Sequence, residues 1–165
     1  MIHGIFDSHA HYDDARFNED RDALLASLPE QGVCGVIDVG CDLESSRKAV
    51  ALAEKYPYIW AAVGYHPEQA ALRTDEGMAE LRRLLTHPKV VAIGEVGLDY
   101  YWPEPDHDTQ KRVLIEQLEL ARELRKPVIL HVRDASEDAL TILKSHPVKG
   151  VMHCFSGSAE TAREV

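Results

Sequence analysis

The residues best suited to do chemistry are histidines and one glutamate standing at the ends of short apolar runs. Asp7-Ser8-His9-Ala10-His11 closes the first run. In an extended chain residues two apart point the same way. His9 and His11 therefore converge across a small Ala10, as two imidazoles on one metal require. Glu95 closes Val90-Val91-Ala92-Ile93, where an ionised carboxylate is costly unless paired or metal-bound. His131 ends Val128-Ile129-Leu130, and His153 ends Val151-Met152. A single H-x-H recurs by chance, and a lone histidine at a strand end is more often hydrogen-bonded in the core than bound to metal. Four strand ends carrying such groups at one edge point instead to a metal centre. Imidazole and carboxylate without thiolate suit Zn2+, Mn2+, Mg2+ or similar divalent ions. A glutamate between two histidine pairs can bridge two ions about 3.5–4 Å apart, the spacing used for in-line displacement at phosphorus. The other histidines carry no such role: His87 and His146 precede prolines at helix ends, and His3 and His107 fall in solvent-facing positions.

To meet, these groups need strands that run side by side. The runs Ile2–Ser8, Val33–Val39, Ile59–Val63, Val90–Glu95, Val128–His131 and Val151–Cys154 are brief, rich in Val and Ile, and lack polar alternation. Such runs suit strands buried on both faces of a parallel sheet. Helical patterns lie between them. Asp42 is placed to cap a helix reaching Lys55, which Pro57 ends. Leu114, Leu118, Ala121 and Leu124 recur at helical spacing before Lys126-Pro127. Ser136 opens a helix that His146-Pro147 closes, and Ser158 begins another. The order is βα five times and then a sixth strand. That leaves an open doubly wound sheet or a (β/α)8 barrel. No Gly-x-Gly-x-x-Gly turn follows the first strand, whereas barrel enzymes place active-site residues at the C-terminal strand edge. The barrel is favoured.

Composition sets limits on function. The chain has 165 residues, 28 acidic against 18 basic, and a formal net charge of −10. With no block of Lys or Arg, it lacks the basic face of a protein that coats nucleic acid. Gripping one phosphate through bound cations stays open, because the ions supply the charge. Cys34, Cys41 and Cys154 form no C-x-x-C pair and are expected to be buried, reduced thiols. No basic leader opens the sequence, and no run approaches the ~18 apolar residues of a membrane span. The expected location is cytoplasmic.

Five segments taken together resemble the successive signatures of TatD-type metal-dependent deoxyribonucleases: Asp7 to Asp13, Gly64-Tyr65-His66-Pro67, Gly94 to Tyr101, Lys126 to Ala135, and Met152 to Gly157. The match runs in order over nearly the whole chain. The resemblance implies an amidohydrolase-like TIM barrel with two divalent ions, one held by His9, His11 and Glu95, the other by Glu95, His131 and His153. It places His66 near the substrate phosphate and suggests Arg133 and Asp99 for substrate or supporting roles. The implied activity is hydrolysis of phosphodiester bonds in DNA, in some members as a 3′-to-5′ exonuclease. Members of the family also carry an aspartate on their last strand, past the point matching Val165, that ligates the first ion and positions or deprotonates the attacking water, so no catalytic residue is assigned within this chain.

The expected domain is thus a single, incomplete barrel over residues 1–165, ending after about the sixth strand. A barrel needs about 200 residues or more. Open first and sixth strands would leave the chain marginally stable or self-associating through its sheet edges. The first ion site would be weakened and catalysis impaired. Two other readings remain: hydrolysis of a C–N or ester bond on the same ligand plan, and a non-catalytic fragment that binds metal.

Overall fold

The computed structural model describes residues 4–164. Six parallel strands hydrogen-bond in numerical order: β1 (Ile5–Ala10), β2 (Val33–Val39), β3 (Ile59–Val63), β4 (Val90–Asp99), β5 (Val128–Arg133) and β6 (Gly150–Met152). A doubly wound sheet would put β1 in its middle. Here β1 lies at one edge and each strand pairs with the next, so the six βα units form a curved wall of a TIM-type barrel. No described helix is long and apolar enough to cross a membrane.

Helices α1 (Arg21–Ser27), α2 (Leu43–Lys55), α3 (Asp75–Leu84), α4 (His107–Leu124), α5 (Ser136–Ser145) and α6 (Ala159–Glu164) alternate with the strands. Asp42 caps α2 as expected, accepting from the Ser45 N–H at 2.8 Å while the Ser45 hydroxyl reaches back to the Asp42 N–H. Packing falls into two layers. Val36, Ile59, Leu81, Leu98, Leu114 and Leu118 belong to a large core between the sheet and its helices. Val39, Ala62, Ala92 and Ile129 form a smaller cluster with Ile37 on the other face of the sheet, inside the barrel. Strands buried on both faces explain the unbroken apolar runs of the sequence.

Several boundaries differ from expectation. The expected start of β1 at Ile2, like His3, lies outside the described residues; the described strand continues past Ser8 to Ala10, so His9 sits within it. β4 continues beyond Glu95 to Asp99, with an irregular register between Ile93 and Val96. β5 runs on to Arg133, and β6 ends at Met152, one residue before His153. The glycines and charges of Gly94–Asp99 read as the end of a strand, yet they continue the ladder as Gly97 pairs with His131 and Asp99 with Arg133. Of the three thiols, expected to be buried, Cys34 and Cys154 are exposed and Cys41 is half-buried. Cys154 follows the end of the short β6, where nothing described covers it.

Candidate metal centre

Glu95, Gly97 and Asp99 share one face of β4, because side chains alternate along a strand and the intervening Val96 and Leu98 enter the outer core. Gly97 has φ +152°, and a Cβ there would lie 1.8 Å from the carbonyl oxygen of His131. Only glycine permits this approach. Over it the imidazole of His131 spans two carboxylates, with Nδ1 3.0 Å from Glu95 Oε1 and Nε2 2.8 Å from Asp99 Oδ2.

Glu95 is buried at the centre of the cluster, and its two oxygens face different partners. Oε2 lies 3.2 Å from His9 Nε2 and 3.6 Å from His11 Nε2. Oε1 lies 3.0 Å from His131 Nδ1, 2.6 Å from His153 Nε2 and 3.8 Å from His66 Nε2. The two edges of the sheet thus meet at one carboxylate. Burial opposes ionisation of Glu95, but hydrogen bonds from His131, His153 and His9 outweigh it and hold the carboxyl well below its usual range. Burial likewise works against a charged His131, and the flanking Glu95 and Asp99 outweigh it and raise the imidazole's pKa.

The surroundings fix the ring tautomers. His11 Nδ1 is 2.7 Å from the carbonyl oxygen of Val39, so Nδ1 carries the proton and Nε2 presents a lone pair. That lone pair is 3.1 Å from His9 Nε2. If His9 Nε2 supplied a proton to this triangle, its Nδ1 would be left a buried acceptor, and Nδ1 has no partner among the described residues. A divalent cation held by His9 Nε2, His11 Nε2 and Glu95 Oε2 would satisfy all three electron pairs at once, whereas His9 Nδ1 lacks a partner among the described residues in either tautomer. His131 would hold an ion in the same way: its neutral ring would donate Nε2–H to Asp99 and turn the Nδ1 lone pair toward Glu95 and His153. A carboxylate behind a ligating imidazole is the usual support for such a ligand. The donor set therefore fits divalent ions.

Other groupings also lie within reach of a common ion: His9, Glu95 and His153; His11, Cys41 and Glu95; His66, Glu95 and His131. They cut across the two expected ligand sets because the rings crowd together, with His9 stacked on His153 at 4.0 Å. The Cys41 thiol, 4.0 Å from His11 Nδ1, was not legible as a neighbour. Burial raises its pKa, and the charge of Glu95 adds to this.

His66 is buried beside the cluster. Its Nδ1 accepts the Glu68 N–H at 3.2 Å, so Nε2 carries the proton in the neutral ring. Burial lowers its pKa to about 4, which keeps the ring neutral near pH 7. Arg133 is not brought to the cluster. Its guanidinium lies over the Tyr101 ring, 3.7 Å from the centroid, at the rim. Two buried glutamines that sequence reasoning missed hold the wall to α4. Gln117 bonds both the N–H and the carbonyl of Tyr65, at 2.7 and 3.1 Å, next to His66. Gln110 does the same for Asp99, at 2.8 Å in each direction. Their signal is present in the sequence: they stand seven residues apart, on the stripe that also carries Val113, Leu114, Leu118 and Ala121.

A curved parallel wall with imidazoles and a carboxylate at its C-terminal mouth is the framework of a barrel with a candidate metal site. Residues 6–165 match the model of the family described as TatD related DNase, and the chain belongs to that family. It is 43% identical over 163 residues to an uncharacterized metal-dependent hydrolase, YabD, of Bacillus subtilis, covering 97% of this chain and 64% of the relative. It is 39% identical to a 3′-5′ ssDNA/RNA exonuclease TatD of Cronobacter sakazakii, covering 97% and 62%. Among solved structures, the TatD homologue YjjV of Escherichia coli superposes with a TM-score of 0.90 at 36% identity, covering 97% of this chain and 63% of that one. The chain therefore spans less than two thirds of the length of these relatives.

Proposed function

We propose that this chain supplies the metal-binding wall of a hydrolase that cleaves phosphodiester bonds of DNA, with two divalent ions bridged by Glu95. The observation that carries the reading is the division of one carboxylate: Oε2 faces His9 and His11, and Oε1 faces His131 and His153. In this reading His9, His11 and Glu95 hold one ion, and Glu95, His131 and His153 hold the other. Bound divalent ions would supply Lewis acidity toward a phosphoryl oxygen and lower the pKa of water. The chain's own groups do the rest. Asp99 keeps the His131 lone pair aimed inward, and the Val39 carbonyl does the same for His11. His66, neutral and with its proton on Nε2, offers a donor to a phosphate oxygen beside Glu95. The names of exonuclease relatives support nucleic acid as substrate, and the reading applies to the protein that carries this chain.

The test combines metal analysis with two substrates. With Mn2+ or Mg2+ added, a labelled single-stranded oligodeoxynucleotide should be shortened from its 3′ end, and a chelator should stop the reaction. Two equivalents of metal should bind per chain. Hydrolysis of a cyclic amide with no action on the oligonucleotide would overturn the proposal in favour of C–N bond chemistry. Metal binding with no hydrolysis of either substrate would leave a non-catalytic metal-binding protein.

A further inference from the structure

The loop joining β4 to α4 presents Tyr101 and Trp102 to solvent, 54% and 47% exposed. Their rings meet edge to face with centroids 4.8 Å apart. Exposed aromatics grouped at one rim usually mark a contact surface. The loop is held firmly. The Tyr100 hydroxyl donates to Asp138 Oδ2 at 2.6 Å, its ring stacks on His107 at 3.6 Å, and its N–H donates to the Arg133 carbonyl at 2.9 Å. Asp99 connects the loop to the cluster directly: Oδ2 receives His131 Nε2 at 2.8 Å, and Oδ1 receives the Tyr101 N–H at 3.0 Å. Arg133 adds a cation against the Tyr101 face. The aromatic pair and the cation thus stand at the rim, tied to the Glu95 cluster through the buried Asp99 carboxylate.

We infer that Tyr101 and Trp102, with Arg133, form a stacking platform for an unpaired nucleobase of the strand being cut; this rests on the phosphodiesterase reading above. The occupant follows from chemistry. Flat aromatic faces beside a guanidinium suit a flat heterocycle carrying a phosphate, since stacking holds the base and the cation attracts the neighbouring phosphate. Within this chain, a net charge of −10 with no basic block offers little electrostatic hold on a phosphate backbone, so base stacking adds to what bound cations would supply. Bases paired and stacked within a duplex do not offer their faces, so the platform selects single strands and frayed ends.

The experiment uses the two tryptophans, Trp60 and Trp102. In the Trp60→Phe variant Trp102 is the sole indole. Without divalent metal, so that no cleavage occurs, oligothymidylate should quench its emission, and an abasic strand of equal length should not. By anisotropy of labelled strands, oligothymidylate should bind the unmodified protein about tenfold tighter than the abasic strand. Trp102→Ala should erase that margin and Trp102→Phe should restore most of it, a recovery that simple loss of folding would not produce. Equal affinity for base-bearing and abasic strands, or a margin that survives Trp102→Ala, would overturn the platform. Hydrolysis of bis(p-nitrophenyl) phosphate, a diester without a base, separates the two readings. If that diester is cut while the strands bind equally, the platform alone fails. If quenching and the margin appear but no diester is cut, the base site stands and the phosphodiesterase reading fails.

Discussion

The middle of the sheet and its two edges hold the cluster in different ways. β3 and β4 are almost wholly buried, and β2 and β5 are buried where helices cover them. β1 and β6 contain no fully buried residue; Phe6 is 51% exposed and Val151 49%. Glu95, Asp99 and His131 stand on the buried wall, whereas His9, His11 and His153 come from the exposed edges. The wall carries the carboxylate that organises the site, and the edges bring imidazoles to it. One half of the cluster is thus fixed by packing, and the other by strands with little packing of their own.

The largest expected effect concerns the group common to both halves. Glu95→Gln removes the charge that faces both sets of imidazoles, while the amide retains the side chain's size. Metal affinity should fall by more than the ~10–100-fold that follows loss of an outer supporting partner, and both ions should be lost together in a chelator competition titration. Loss of one ion with full retention of the other would show that the two halves do not share this carboxylate.

Next comes the packing of the wall. Leu118 is fully buried on α4 beneath β4. Leu118→Ala should cost about 2–5 kcal/mol, the range for a buried leucine whose cavity collapses incompletely, read as a lowered urea midpoint. A cost below ~1 kcal/mol would mean that the wall is loosely packed, and the distinction between wall and edges would fail.

Much of this arrangement was legible in the sequence. A buried strand ends where its apolar run meets a polar residue, so His131 and His153 marked strand ends to within two residues, and the His-x-His spacing placed two rings on one side. The barrel followed because four of the six strand ends bore such a group at the same edge. The hidden parts are those where tertiary contacts decide. β4 runs on to Asp99 because Gly97 lets β5 approach, which no local pattern states. Arg133 has the chemistry of a phosphate contact, and that its guanidinium lies over Tyr101 is a contact no local pattern states. Gln110 and Gln117 read as ordinary polar positions until the helix stripe shows that both face the core.

Asp38 joins the two regions, since this β2 residue accepts the Tyr12 N–H, just past His11, at 2.6 Å. It is fully buried, and its Oδ2 has no partner among the described residues. Burial, reinforced by the charge of Asp13, pushes its pKa up from 3.8 to about 7. A carboxyl whose folded pKa exceeds its unfolded value stabilises fully below the unfolded pKa and loses that stability as pH rises through the folded one. The Asp38 contribution to stability should therefore fall from about pH 4 to about pH 7, with roughly 2.5 kcal/mol of the fall between pH 5 and pH 8. Asp38→Asn, which keeps the acceptor for Tyr12, should flatten that decline. Urea midpoints across this range decide the point, and a variant with the same slope would remove Asp38 as its source.

The smallest effect should come from the edge itself. Val151 lies on β6, pairs with Ile129 and leaves half of its side chain in solvent. Val151→Thr keeps the β-branched shape, so the strand loses only a little apolar contact, and the cost should stay within ~0.5 kcal/mol, as for most surface changes. The same substitution tests whether the exposed face is free in solution. If a second copy or another segment packs against β6, a hydroxyl there would be buried without a partner and would cost roughly 1–3 kcal/mol. The cost would then depend on protein concentration in the first case and not in the second. Urea midpoints at two concentrations, beside sedimentation velocity, separate these outcomes. A small cost at both concentrations leaves β6 as an open edge, supported mainly by its pairing with β5.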